Sequence, residues 1–84
     1  MAYTVTFSRQ AFKELEKIHE PHYTHLKKAI IALTDNPRPI GFKKLKGREG
    51  YRIRVGNYRI IYDIFDSVLL IEIIALGHRK DVYE

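Results

Sequence analysis

Three arginines held on neighbouring strands are the residues of this chain best suited to chemistry. In Tyr51-Arg52-Ile53-Arg54-Val55-Gly56-Asn57-Tyr58-Arg59-Ile60-Ile61-Tyr62, apolar residues alternate with Arg, and Gly56-Asn57 sits where the chain must reverse. That pattern predicts two strands joined by a two-residue turn. With Val55 and Tyr58 flanking the turn, Arg54 lies directly opposite Arg59, and Arg52 follows two residues along the same face. Like charges facing each other across a strand pair cost from a few tenths to about 1 kcal/mol. A chain that accepts this cost offers a site for an anion. Guanidinium suits phosphate, because it is planar, permanently charged and donates in a fork matched to phosphate oxygens. It cannot serve as a base at neutral pH, so any proton transfer there needs other groups.

The surrounding composition supports a polyanionic partner. The 84-residue chain carries a formal net charge of +5. Residues 38–59 hold eight basic side chains (Arg38, Lys43, Lys44, Lys46, Arg48, Arg52, Arg54, Arg59) against one acid, Glu49, so the remainder of the chain is slightly acidic. A basic patch confined to one segment is the electrostatic footprint of a nucleic-acid binder, although it also keeps a small protein soluble. With no cysteine, disulfides and thiolate zinc sites are excluded. No secretory leader or membrane-spanning apolar run is evident, which places the protein in the cytoplasm with no membrane partner. His19, His22 and His25 stand three apart, but no carboxylate or cysteine is placed to complete a ligand set, so they are read as solvent-facing and no metal is expected.

The elements that must position the arginines follow from the apolar periodicity. Tyr3, Val5 and Phe7 alternate with threonines, as in a short strand, and Ser8 can cap a helix over residues 9–18 with Ala11, Phe12, Leu15 and Ile18 on one face. Pro21 fits the first turn of a second helix, whose Tyr23, Leu26, Ile30 and Leu33 form a stripe. Asn36-Pro37-Arg38-Pro39 stops it. Phe42-Lys43-Lys44-Leu45-Lys46 is an edge strand or a returning loop. Tyr51, Ile53, Val55, Tyr58, Ile60, Tyr62 and Ile64 then face the helices. A two-residue turn at Asp66-Ser67 puts Leu69, Ile71, Ile73 and Ala75 on that face, and Val68, Leu70, Glu72, Ile74 and Leu76 beside the arginines. An outer face this apolar indicates a partner site, unless the register differs by one and the faces swap. The expectation is one α+β domain over residues 1–84. It has an N-terminal strand and an antiparallel two-helix hairpin packed on one face of a twisted, mainly antiparallel sheet, in the order β-α-α-β-β-β with room for one more short strand.

These pieces together resemble the RelE/ParE toxin superfamily, and within it the RelE-like mRNA interferases. The resemblance covers nearly the whole chain: the opening Tyr-x-Val-x-Phe strand, Asn36-Pro37-Arg38-Pro39, Lys43-Lys44-Leu45-Lys46-Gly47, the arginine hairpin, and the ending Gly77-His78-Arg79-Lys80-Asp81-Val82-Tyr83. It implies the toxin of a type II toxin-antitoxin system, an endoribonuclease acting on mRNA at the ribosome without a cofactor and silenced by a RelB-like antitoxin. It also implies site residues. The family's paired basic positions fall on Arg52 and Arg54, its transition-state arginine on Arg59, a further basic residue on Arg79, and its terminal tyrosine on Tyr83. Lysines stand at the first two positions in the best-known member. Arginines there remove a possible proton acceptor, which moves that role to His78 and Tyr83. Lys43, Lys44, Lys46, Arg48 and Lys80 are expected to follow the RNA backbone. A ParE-like gyrase poison and a catalytically silent RNA- or antitoxin-binding domain would share the fold.

Overall fold

The computed structural model describes residues 2–78. The element order is β1 (Thr4–Phe7), α1 (Arg9–Glu16), α2 (His22–Leu33), β2 (Lys43–Lys44), β3 (Tyr51–Val55), β4 (Tyr58–Phe65) and β5 (Leu70–His78), with a 3-10 turn at Asp66–Val68. The sheet has five strands in the order β1-β5-β4-β3-β2, antiparallel throughout except where β1 runs parallel to β5. This is the expected α+β architecture with the extra short strand at Lys43–Lys44.

Ser8 starts α1 as the sequence suggests, its hydroxyl oxygen accepting from the Ala11 N–H at 3.0 Å. The helix ends at Glu16, short of Ile18. Phe12 is 53% exposed rather than part of the buried stripe, and meets Phe7 edge-on at 6.5 Å between ring centroids. At α2 the cap comes from Glu20, whose carboxylate accepts from the Thr24 N–H at 3.0 Å and from its hydroxyl at 2.7 Å. Those bonds hold the Glu20 carboxyl below its ordinary range. The core between helices and sheet joins Ala11, Leu15, Leu26, Ile30 and Leu33 to Ile53, Ile60, Tyr62, Ile71, Ile73 and Leu76. Tyr62 is fully buried and donates its hydroxyl to the Pro37 carbonyl at 2.7 Å, and burial pushes its pKa up to about 12.

The β4–β5 connection corrects two expectations. Phe65 pairs with Leu70, so the loop has four residues and not the two of Asp66-Ser67, with Leu69 in the left-handed region (φ 52°). Two added residues preserve the alternation, so Ile71 and Ile73 still face the helices as expected. Further along, the register steps by one: Tyr62 pairs with Ile73 but Ile61 with Ala75, leaving Ile74 as an extra residue in β5. A bulge of this kind reverses every side chain beyond it. Leu76 therefore lies in the helix-side core, and Ala75 moves to the outer face, the opposite of the sequence expectation. The carbonyls at the bulge are taken up by Ser8, whose N–H donates to Ile73 O at 2.9 Å and whose hydroxyl donates to Ile74 O at 2.7 Å.

The outer face also differs from an open apolar surface. Leu45, 3% exposed, folds onto it with Ile61, Ile74 and Ala75 as a second small core. Its N–H donates to Gly50 O at 3.0 Å, closing the loop over residues 45–50. Gly50 has φ +118°, and a Cβ there would stand 3.2 Å from Leu45 Cδ1 and 3.3 Å from Tyr62 O, so this close approach requires glycine. Of the apolar residues expected to mark a partner face, Ile74 packs in this small core and Leu76 lies on the helix side, while Leu70 is half-buried and Val68, with neighbouring Leu69, is exposed.

Candidate active site

The hairpin has the predicted geometry. Val55 pairs with Tyr58 across Gly56-Asn57, Arg54 with Arg59, and Arg52 with Ile61. Since cross-strand partners share a face, the outer face carries two rows of interest. One runs Lys43, Arg52, Ile61, Ala75; the next runs Arg54, Arg59, Gly77. Lys43, Arg52, Arg54 and Arg59 are therefore brought together on the face away from the helices. Arg54 is exposed, Arg59 half-buried and Arg52 only 3% exposed. Farther along the same face the row Asp63, Glu72, Thr6 is acidic, so the potential falls from positive to negative along the sheet.

Gly77 is a residue that sequence reasoning missed. The bulge sets it directly opposite Arg59, where any side chain would stand beside the guanidinium. The available signal was an isolated glycine inside an apolar strand run, which marks a bulge or a close approach. Ser8 belongs here too, because it ties the bulge to the start of α1.

The remaining expected site residues are dispersed. His78 pairs with Tyr58 and points to the helix side, its ring 5.8 Å from that of Tyr58, so the register does not bring it together with the arginines. Lys44 shares a face with Tyr51 and sits 6.0 Å over its ring. Lys46 and Arg48 are exposed on the loop that carries Leu45. Arg79, Lys80 and Tyr83 lie outside the described residues. Among the described residues no cluster of three or more His, Asp or Glu is placed to hold a metal ion, and no helix is long and apolar enough to cross a membrane.

Arg38 has a separate task. Its guanidinium forks onto Asp66 at 2.8 and 3.3 Å, and the Tyr3 hydroxyl donates to the same carboxylate at 2.7 Å. Arg38 and Tyr3 hold the Asp66 carboxyl below its ordinary range, and Asp66 raises Tyr3 in turn. This clasp ties β1, the segment after α2 and the β4–β5 turn at the sheet end remote from the arginine pair.

A sequence model of the family described as ParE toxin of type II toxin-antitoxin system, parDE, matches residues 5–83. The chain belongs to the RelE/ParE toxin superfamily. Among curated RelE relatives, a RelE-like toxin protein of Escherichia coli is 34% identical over 99% of this chain and 92% of its own length. The mRNA interferase toxin RelE of Escherichia coli strain K12 is 31% identical over 95% of this chain and 86% of its own. The fold agrees. The archaeal RelE–RelB complex from Pyrococcus horikoshii OT3 contains a chain that superposes with a TM-score of 0.84 at 30% identity, over 98% of this chain and all of that one. The isolated Escherichia coli RelE toxin gives 0.80 at 29% identity, over 92% of this chain and 84% of that one. This protein is a RelE-like toxin of a type II toxin-antitoxin system.

Proposed function

We propose that this RelE-like toxin is a metal-independent endoribonuclease that cleaves mRNA in the ribosomal decoding site. The observation carrying the reading is the Arg54–Arg59 cross-strand pair with side-chain-free Gly77 at its flank and Lys43 and Arg52 in the adjoining row. In the reaction the RNA 2′-oxygen bonds to the adjacent phosphorus, the P–O5′ bond breaks, and a 2′,3′-cyclic phosphate and a 5′-hydroxyl result. Negative charge builds on the non-bridging oxygens as phosphorus becomes five-coordinate. Arg54 and Arg59 converge on that charge, with Arg52 and Lys43 holding the neighbouring backbone and Arg79 completing the clamp. The 2′-hydroxyl must lose a proton and O5′ must gain one. Since His78 packs against Tyr58 on the far face, proton transfer falls to Tyr83 and His78 supports Tyr58. A pH–rate profile separates these roles: Tyr83→Phe alters its shape, and His78→Ala preserves it.

Lys46 and Arg48 extend the positive surface for RNA, in a nonspecific role that weakens with salt, and Lys80 is assigned the same role by its charge. The partner in the resting state is a RelB-like antitoxin, a reading supported by related toxins solved with RelB. Residues 53–55 of β3 lie beyond the reach of β2, and an apolar groove of about 620 Å³ runs between this edge and α2, lined by Ala29, Ala32, Leu33, Ile53 and Val55 and rimmed by Lys43, Arg52 and Arg54. An extended segment with acidic residues fits such a groove.

A ParE-like gyrase poison is the second reading, favoured by the description of the matching family. Inducing the gene in a bacterial host and mapping mRNA ends decides between them. Codon-periodic cuts support the nuclease, whereas DNA-damage signalling without cuts supports the poison and overturns the proposal. Absence of toxicity overturns both in favour of a binding module.

A further inference from the structure

The sheet end that carries the arginine pair holds a second feature that the cleavage chemistry does not use. His22, at the start of α2, stacks tilted on Tyr58 with ring centroids 5.1 Å apart, and His78 also meets Tyr58, edge-on at 5.8 Å. Beside this stack His22, His25, Val55, Gly56, Asn57 and Tyr58 line an open slot of about 320 Å³. His22 and His25 are exposed and Tyr58 is half-buried, so the rings are presented to solvent and not sealed in the core. The slot and the arginine pair are neighbours: Tyr58 precedes Arg59 on β4, and the Val55–Tyr58 pair adjoins the Arg54–Arg59 pair, about 3.3 Å along the strands. Only the turn Gly56-Asn57 separates the two faces there. Gly56 has φ +62° and open space where a Cβ would be, which leaves a low saddle over the end of the sheet.

We propose that this slot binds one unstacked nucleobase of the RNA whose phosphate faces Arg54 and Arg59. The inference rests on the RNA-cleaving reading and adds a base site to it. Single-stranded RNA is held by stacking bases on aromatic rings while basic groups track the backbone. Here a nucleotide crosses the Gly56-Asn57 saddle with its phosphate on the arginine face and its base against the imidazoles of His22 and His25. The Asn57 amide and the histidine nitrogens supply donors and acceptors for the base edge. Tyr58, itself in contact with His78, is the wall against which His22 rests. The histidines are solvent-facing, as the sequence suggested, and what the sequence did not show is that His22 meets Tyr58, more than thirty positions away.

The test uses the toxin and a 2′-O-methyl RNA trinucleotide, which cannot be cut, together with three analogues each abasic at one position. Affinity is measured by calorimetry, and the imidazole and tyrosine ring signals are followed by NMR. The intact RNA shifts the ring signals of His22, His25 and Tyr58, and one abasic analogue binds roughly 5- to 150-fold more weakly, the range expected for loss of one base–aromatic stack. His22→Ala, an exposed position that leaves the core intact, removes the preference for the intact RNA over that analogue, and Tyr58→Phe retains it. Equal binding of all abasic analogues, with affinity still dependent on Arg54 and Arg59, overturns the slot and leaves the nuclease reading standing. No binding of any RNA overturns the slot as well, and the nuclease reading is then judged by cleavage on programmed ribosomes. Ring shifts caused by antitoxin but by no RNA assign the slot to a protein partner instead.

Discussion

The bulge in β5 offers the sharpest perturbation, because one small side chain serves two purposes there. Ser8 Oγ accepts from the Ala11 N–H at 3.0 Å, capping α1, and donates to Ile74 O at 2.7 Å, satisfying the carbonyl of the extra residue. Ser8→Ala removes both. Loss of a helix cap costs about 1 kcal/mol. Loss of the partner of a half-buried carbonyl costs about 1 kcal/mol more. The expected total is about 2 kcal/mol, which lowers the melting temperature of a domain this size by roughly 8–16 °C. Thermal and urea unfolding followed by circular dichroism measure it. Ser8→Asp divides the effect, keeping an acceptor for the Ala11 N–H but offering no donor to Ile74 O, so it falls between wild type and Ser8→Ala. Ser8→Thr keeps both and stays close to wild type. A Ser8→Ala protein within about 0.5 kcal/mol of wild type, the range of an inconsequential surface change, refutes the idea that Ser8 secures the bulge.

Further outcomes follow from the same structure. Gly50→Ala must hold an alanine at φ +118° against Leu45 and Tyr62 O, and urea unfolding is expected to show a loss of more than 1 kcal/mol. Tyr62→Phe strips the Pro37 carbonyl of its buried donor and costs about 1–3 kcal/mol by the same assay. Arg54→Thr relieves the facing charge of Arg59, so stability rises by a few tenths to about 1 kcal/mol at low salt while RNA affinity falls. The Asp66 carboxyl is depressed in the folded state by Arg38 and Tyr3, so its contribution is present above the unfolded carboxylate pKa and lost as pH falls through the folded one. Stability measured from neutral pH down through the carboxylate range therefore drops less for Asp66→Asn than for wild type.

The arginine hairpin was legible in the sequence because its information is local: Gly56-Asn57 fixes the pairing, and alternation fixes the face. The second half of β5 was not. Leu70 to Leu76 is apolar at nearly every position, because the helix-side core lies on one face and the Leu45 cluster on part of the other. Alternation then carries no information about facing, and a bulge leaves no mark except Gly77. The burial of Leu45 was hidden in the same way, by the four lysines and arginines around it in residues 43–48. Phe12 fits the helical stripe by spacing but lies at its edge, where Phe7 meets it edge-on and leaves it 53% exposed. The placement of the hairpin arginines was therefore readable down to individual residues, whereas the facing of His78 depends on a register step that only the folded chain reveals.

The central claim is that the arginine pair cuts RNA through the 2′-hydroxyl. Single-turnover cleavage of mRNA on programmed ribosomes tests it most directly, comparing wild type with Arg59→Ala on an all-ribose message and on one with a single 2′-deoxy nucleotide at the cut. Wild type is expected to leave a 2′,3′-cyclic phosphate and to spare the 2′-deoxy message, and Arg59→Ala to slow the reaction by about 100- to 1,000-fold, the usual effect of removing one donor to a developing oxyanion. Uncut ribose message, or Arg59→Ala cutting at the wild-type rate, contradicts the account.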